Sequence, residues 1–304
     1  MGEERLTGAR TPKRWATDIS VLLNHARGLD HFPISVAEVA IGLSKDWFPN
    51  DAITLVQGDN LPGFDGALLR APPGEQGWGI VYNNAISSRG RINFTLAHEF
   101  GHYLVHRLAH PDGMRCKQQD VVRWDTEYGQ IEHEANTFAA YLLMPFDDYR
   151  RQIDSRSIAT LDLLKHCADR YEVSLIAATL RWLAYTERRA ILVVSRDGYI
   201  LWARSSEPAY RSGLFIKAAG RAVPVPDKSV AAHPIAFLDP KSGVNHPPDV
   251  WLNEPCQEIS IVSESYDFTI SLLQFAPGGQ YRGADGDEVA VESLNEQIRR
   301  LHQL

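Results

Sequence analysis

Cysteine is scarce in this chain. Its 304 residues include three, Cys116, Cys167 and Cys256, an odd number set far apart with no C-x-x-C pair. That excludes a disulfide framework and fits a reducing compartment. Long apolar runs are also lacking, and nothing approaches the roughly 20 residues that a membrane-spanning helix needs. Met1 to Arg14 is polar and basic, without the apolar stretch of a secretory signal, so the expectation is a cytoplasmic protein with no membrane partner. Positive charge is in short supply too. A net charge of -7 argues against a protein whose main task is coating nucleic acid. What remains is ordinary globular composition, 44% hydrophobic and 23% charged, in a chain long enough for two or three domains. Repeats and low-complexity tracts are absent.

The periodicities divide the chain. Lys13–Leu29 and Val36–Leu43 carry apolar residues at helical spacing, with Ser35 placed to cap the second. Short strand-like runs follow at Ala52–Gln57, Gly66–Arg70 and Trp78–Tyr82, between Gly, Pro, Asp and Asn turns. A helix is expected from near Asn93 or Thr95 to about Arg107, a loop across Pro111–Glu127, and a second helix from Glu127 to Met144, stopped by Pro145. Residues 157–187 read as helical, with Leu161–Arg170 and Leu175–Leu183 in helix-turn-helix proportions. After Arg189 the texture turns to strands. Ala190–Val194 and Tyr199–Arg204 flank an Asp197-Gly198 hairpin turn, and Glu258–Val262 pairs with Phe268–Phe275. The expected fold class is α+β: residues 1–150, a helical unit at 151–189, and a β-rich α/β domain at 190–304.

His98-Glu99-Phe100-Gly101-His102 lies inside the first of the two central helices. Imidazoles four residues apart share a helical face and can bind one Zn²⁺, and the glutamate between them can serve as general base. A catalytic zinc takes a third protein ligand. His106 continues the spacing, but eight residues of helix rise about 12 Å, too far to share an ion with His98. It is left a packing or hydrogen-bonding role. A His ten residues after the first would make a different ligand set, and position 108 is Leu. Cys116 is nearby but reads as incidental. The helix at 127–144 offers Glu132 and Glu134. By helical angle Glu132 lies about 60° from the centre of the apolar stripe and Glu134 about 100°, which favours Glu132 and leaves Glu134 as the alternative. Asn136, one turn from Glu132, is placed to orient a ligating imidazole.

Two blocks, Phe94 to His106 and Glu132-His133-Glu134-Ala135-Asn136-Thr137-Phe138-Ala139-Ala140 through Pro145, together resemble the ImmA/IrrE family of metallo-endopeptidases. The resemblance covers roughly residues 30–190. It implies a minimal gluzincin-like zinc peptidase domain with His98, His102 and Glu132 on the metal and Glu99 as the catalytic base. It also implies a helix-turn-helix repressor as protein substrate, cleaved to switch on stress-response or mobile-element genes. Resemblance to the longer, IrrE-like members implies a GAF-like fold for the C-terminal domain.

Other residues are weaker candidates. Tyr103, Tyr128, His110 and His133 are possible donors to an oxyanion. Trp78–Tyr82, followed by Asn83-Asn84, is expected to be an edge strand on which a substrate could align. The region 150–189 holds eight Lys or Arg against five Asp or Glu, yet Leu175–Leu183 has Arg181 as its one basic residue, so core packing or docking of a protein partner is favoured over direct DNA binding. His233, His246, Asp239 and Asp249 match no metal motif and read as loop residues. The alternative function is a regulatory protein that binds repressor or DNA around an inactive metal site.

Overall fold

The computed structural model describes residues 10–117, 127–218, 220–233, 243–263 and 267–278. Among them the chain forms a mixed α+β fold of eight helices and two sheets, in two compact units. The first runs to Asp148 and takes back 169–174; the second holds 149–168 and continues from Leu175. Of residues 151–189, the stretch 169–174 falls in the first unit and the rest in the second.

The first unit opens with α1 (Pro12–Arg27). Pro12 sits where a missing N–H costs nothing, and the Thr11 hydroxyl accepts from the Arg14 amide. Gly28, at φ 77°, ends it. Trp15, Ala16, Ile19 and Leu23 form its buried stripe. α2 (Val36–Trp47) follows, and its Ser44 hydroxyl accepts from the Ile53 amide at 2.9 Å, joining the helix to the sheet.

That sheet contains β1 (Ile53–Asp59), β2 (Phe64–Arg70), β3 (Trp78–Asn83) and β4 (Gly113–Lys117) in the order β1-β3-β2-β4. β3 runs parallel to β1 and antiparallel to β2, and β2 pairs antiparallel with β4. Two expectations change here. Trp78–Tyr82 is not an edge strand: β3 is hydrogen-bonded on both sides, so it has no free edge for a substrate. And the stretch read as loop from Pro111 contains β4, which forms an edge of the sheet. Period-2 alternation marks a strand but carries nothing about which strands flank it. The side chain of Cys116 lies outside the described residues.

Helix α3 (Arg89–Val105) lies on β2 and β3. It begins a turn earlier than expected, because the Ser88 hydroxyl caps it by accepting from the Arg91 amide. The Arg91 guanidinium then grips Asp65 of β2 at 2.7 to 3.2 Å, pinning the helix start to the strand. Helix α4 (Glu127–Leu143) packs along α3. The approach is close because position 101 is glycine. A Cβ there would stand 3.0 Å from Phe138 Cδ1 and 3.2 Å from the Ala135 backbone. Phe100, Phe138, Ala97, Ala135 and Ala139 are all fully buried around this seam.

Helices α5 (Phe146–Gln152), α6 (Leu161–Tyr171) and α7 (Leu175–Leu183) follow. Residues 176–183 of α7, Arg181 included, are all buried. The face that would enter a DNA groove is therefore not presented to solvent. The second unit is built on β5 (Ala190–Arg196), β6 (Tyr199–Ser205), β7 (Val223–Pro224), β8 (Val244–His246), β9 (Cys256–Ser263) and β10 (Phe268–Phe275), with the short helix α8 (Glu207–Arg211). Its sheet is antiparallel throughout, in the order β7-β6-β5-β10-β9-β8. Asp197 and Gly198 both take positive φ, 50° and 75°, as a two-residue hairpin turn demands. Ile191, Val193, Leu273, Phe275 and Trp251 share one core. Cys256 lies in it, where burial pushes its thiol up to about 12. Among the described residues no helix is long and apolar enough to cross a membrane.

Candidate metal centre

His98 and His102 project from one face of α3, and their Nε2 atoms are 2.9 Å apart. Across the seam, Glu132 of α4 places Oε2 3.4 Å from His98 Nε2 and Oε1 3.3 Å from His102 Nε2. All three side chains are buried. Among the described residues they form the one group of His, Cys, Asp or Glu with three ligand atoms within 4.8 Å of one another. Donors bound tetrahedrally at zinc distances stand about 3.3 Å apart, and each Nε2 has one Glu132 oxygen near that distance, a different oxygen for each.

Proton placement tests the fit further. His98 Nδ1 lies 2.8 Å from Asn136 Oδ1, an acceptor, so the imidazole keeps its proton on Nδ1 and turns an Nε2 lone pair inward. His102 Nδ1 lies 3.1 Å from His106 Nδ1, and His106 Nε2 lies 2.9 Å from Glu134 Oε2. A carboxylate can only accept, so His106 donates from Nε2 and receives at Nδ1. His102 then donates from Nδ1, and its Nε2 lone pair also faces inward. Two lone pairs and a carboxylate pointing at one another repel in a buried space, and a divalent cation between them removes the conflict. The donor set is one that could hold a metal ion.

Glu99, the residue after His98, is fully buried. Its carboxylate lies against β2 at Gly66, where a Cβ would stand 3.0 Å from Oε1 and 2.5 Å from Thr95 Cγ2. A glycine in a strand often marks close approach of another group, and here that group is the helix bearing Glu99. Sequence reading missed Gly66. The signal was a glycine inside a strand pattern, and nothing local said which helix would lie on it.

The sequence-derived candidates sort clearly. His98, His102, Glu132 and Asn136 come together, while Glu134 turns to His106 instead of the ligand cluster. His106 holds the hydrogen-bonding place left to it, and burial, followed by the neighbouring His102, pushes its pKa down to about 4. Tyr103 donates its hydroxyl to the Asp51 carbonyl at 2.8 Å, which takes it away from any oxyanion role. Tyr128 and His133 lie on α4, and His110 follows α3. In the second unit His246 meets Glu258 at 2.8 Å, while Asp239 lies outside the described residues.

Comparison with known proteins gives one match. Residues 52–183, which hold the whole centre, match the IrrE N-terminal-like domain of the Peptidase_M78 family. The match supports the ImmA/IrrE resemblance over that span. No curated protein matches it. The family assignment supports a peptidase-type function, and in this IrrE-like domain the buried His98, His102 and Glu132 are the residues that could hold its metal.

Proposed function

We propose that this chain is a zinc endopeptidase in which His98, His102 and Glu132 hold the metal and Glu99 is the catalytic base. The observation that carries the reading is the convergence of three buried ligand atoms within 4.8 Å, with Glu99 one residue along the same helix. When bound, the zinc supplies a Lewis acid to polarise a peptide carbonyl and acidify an attacking water. Glu99 accepts that water's proton and passes it to the leaving amine, so its carboxylate returns unchanged after each turnover. Gly66 and Thr95 fix where the carboxylate stands. An extended substrate would align on the outer side of β4, which pairs with β2 alone among the described residues.

The proposed substrate is a helix-turn-helix repressor, following the family resemblance, in the cytoplasm. The second unit, with a six-stranded sheet and a core of its own, is read as a GAF-like regulatory domain. The burial of α7 fits core packing and argues against direct groove binding. The test is to incubate the purified chain with candidate helix-turn-helix repressors, with zinc, with a chelator, and as Glu99→Gln. Cleavage should need zinc and fall by at least about 100-fold in Glu99→Gln. Undiminished cleavage by that variant overturns the mechanism. Tight binding of DNA or repressor without cleavage by the wild type overturns the enzyme reading.

A further inference from the structure

We propose that Glu134, acting through His106, is a positioning residue that sets the tautomer of His102 and thereby the affinity of the centre for its metal. The inference rests on the metal-site reading and concerns residues which that reading leaves outside the ligand set.

The two histidine ligands are held differently. His98 donates to the neutral amide oxygen of Asn136. His102 donates to a second imidazole, which in turn donates to a carboxylate. Both imidazoles of this second chain are buried, with 0% and 7% of their side-chain surfaces exposed, whereas Glu134 is 45% exposed. The chain thus runs from the metal cluster to solvent and ends in a negative charge at its outer end. Its polarity is fixed from that end. A carboxylate can only accept, so each imidazole passes its proton outward and each inner nitrogen is left as a lone pair. Reversing the chain would put a proton on His102 Nε2, the atom that must face the metal. A carboxylate behind a ligating histidine also raises the ligand's basicity, and here His106 conveys that effect over one extra ring. The same geometry explains why neither residue is a ligand. His106 is too far along the helix, and Glu134 leans to it at 2.9 Å.

The test is zinc affinity, measured by competition with a chromophoric chelator, which needs no substrate and no turnover. Glu134→Gln keeps the size of a half-exposed side chain, and its zinc-free form should melt where the wild type does. Its zinc affinity should fall about 10-fold, and that of His106→Phe by about 10- to 100-fold. In the His106→Phe background, Glu134→Gln should cause no further loss, because the carboxylate acts through the ring. Unchanged affinity in Glu134→Gln overturns the proposal. So does an equal loss in both backgrounds, which would make Glu134 a distant charge and nothing more. Either result leaves the metal centre standing, whereas a wild-type chain that binds no zinc removes both.

Discussion

Glu99 and Gly66 touch across the interface between α3 and β2, and the carboxylate occupies the space a strand side chain would normally fill. The carboxylate is placed by an absence of atoms. Gly66→Ala puts a methyl 2.5 Å from Thr95 Cγ2 and 3.0 Å from Glu99 Oε1, so helix or carboxylate must move. Overpacking of this kind costs about 1–3 kcal/mol. Peptide cleavage should fall by roughly 100-fold for a displacement near 1 Å, while bound zinc per chain stays at the wild-type level. Metal analysis beside a cleavage assay reads both, and full activity in the variant would remove Gly66 from the mechanism.

Gly101 makes the complementary case at the seam between the helices. Alanine there gains about 1 kcal/mol of helix propensity but meets Phe138 and the Ala135 backbone at 3.0 to 3.2 Å. The clash, at about 1–3 kcal/mol, should equal or exceed the gain. Because Glu132 and Asn136 ride on α4 and the histidines on α3, any parting of the helices weakens zinc binding. A zinc-free melting curve and a chelator titration of Gly101→Ala check this. A raised melting point with unchanged affinity would contradict it.

Asp51 gathers the guanidinium of Arg70, the Trp78 indole at 2.9 Å and the buried Arg107 at 2.9 Å. Burial alone would raise its pKa, but these donors outweigh it and hold the pKa below 3.8. A lowered folded pKa means that the stabilisation is fully present above 3.8 and is lost as pH falls through the folded value. Asp51→Asn, which strands Arg107, should cost about 2 kcal/mol at neutral pH. The difference between wild type and variant should shrink as pH falls below 3.8, as read from urea unfolding midpoints. A constant gap across that range would show that the charge is not what matters.

Glu258 is the buried carboxylate of the second unit. It accepts from the amides of Val230 and Ala231, the Trp251 indole and the Ser260 hydroxyl at 2.7 to 3.1 Å, with His246 Nε2 at 2.8 Å. Glu258→Gln replaces an acceptor with a donor among donors and should destabilise by about 3–5 kcal/mol. Denaturant unfolding measures it directly. A loss under about 1 kcal/mol would mean that the loop carrying Val230 and Ala231 rearranges at little cost.

Much of the centre was readable before any coordinates. The four-residue spacing of His98 and His102 is a property of helix geometry and needs no partner. The inward angle of Glu132 and its one-turn relation to Asn136 follow from the same periodicity. The structure brings both to the histidines. The Asp197-Gly198 turn was equally local, since two successive positive-φ positions select those residues. Helix starts were less secure. The Ser88 cap was passed over because the apolar pattern of α3 begins later than its hydrogen bonds do.

The sequence by itself determined which residues can bind a metal and which helical faces carry them, because those relations lie within about a turn of helix. Only the tertiary structure decided that β3 is an inner strand and β4 an edge, that Gly66 receives Glu99, and that Glu134 serves His106. Strand order and helix-to-sheet contacts join residues far apart in the chain. Their geometry comes from packing a whole core, which local periodicity does not encode.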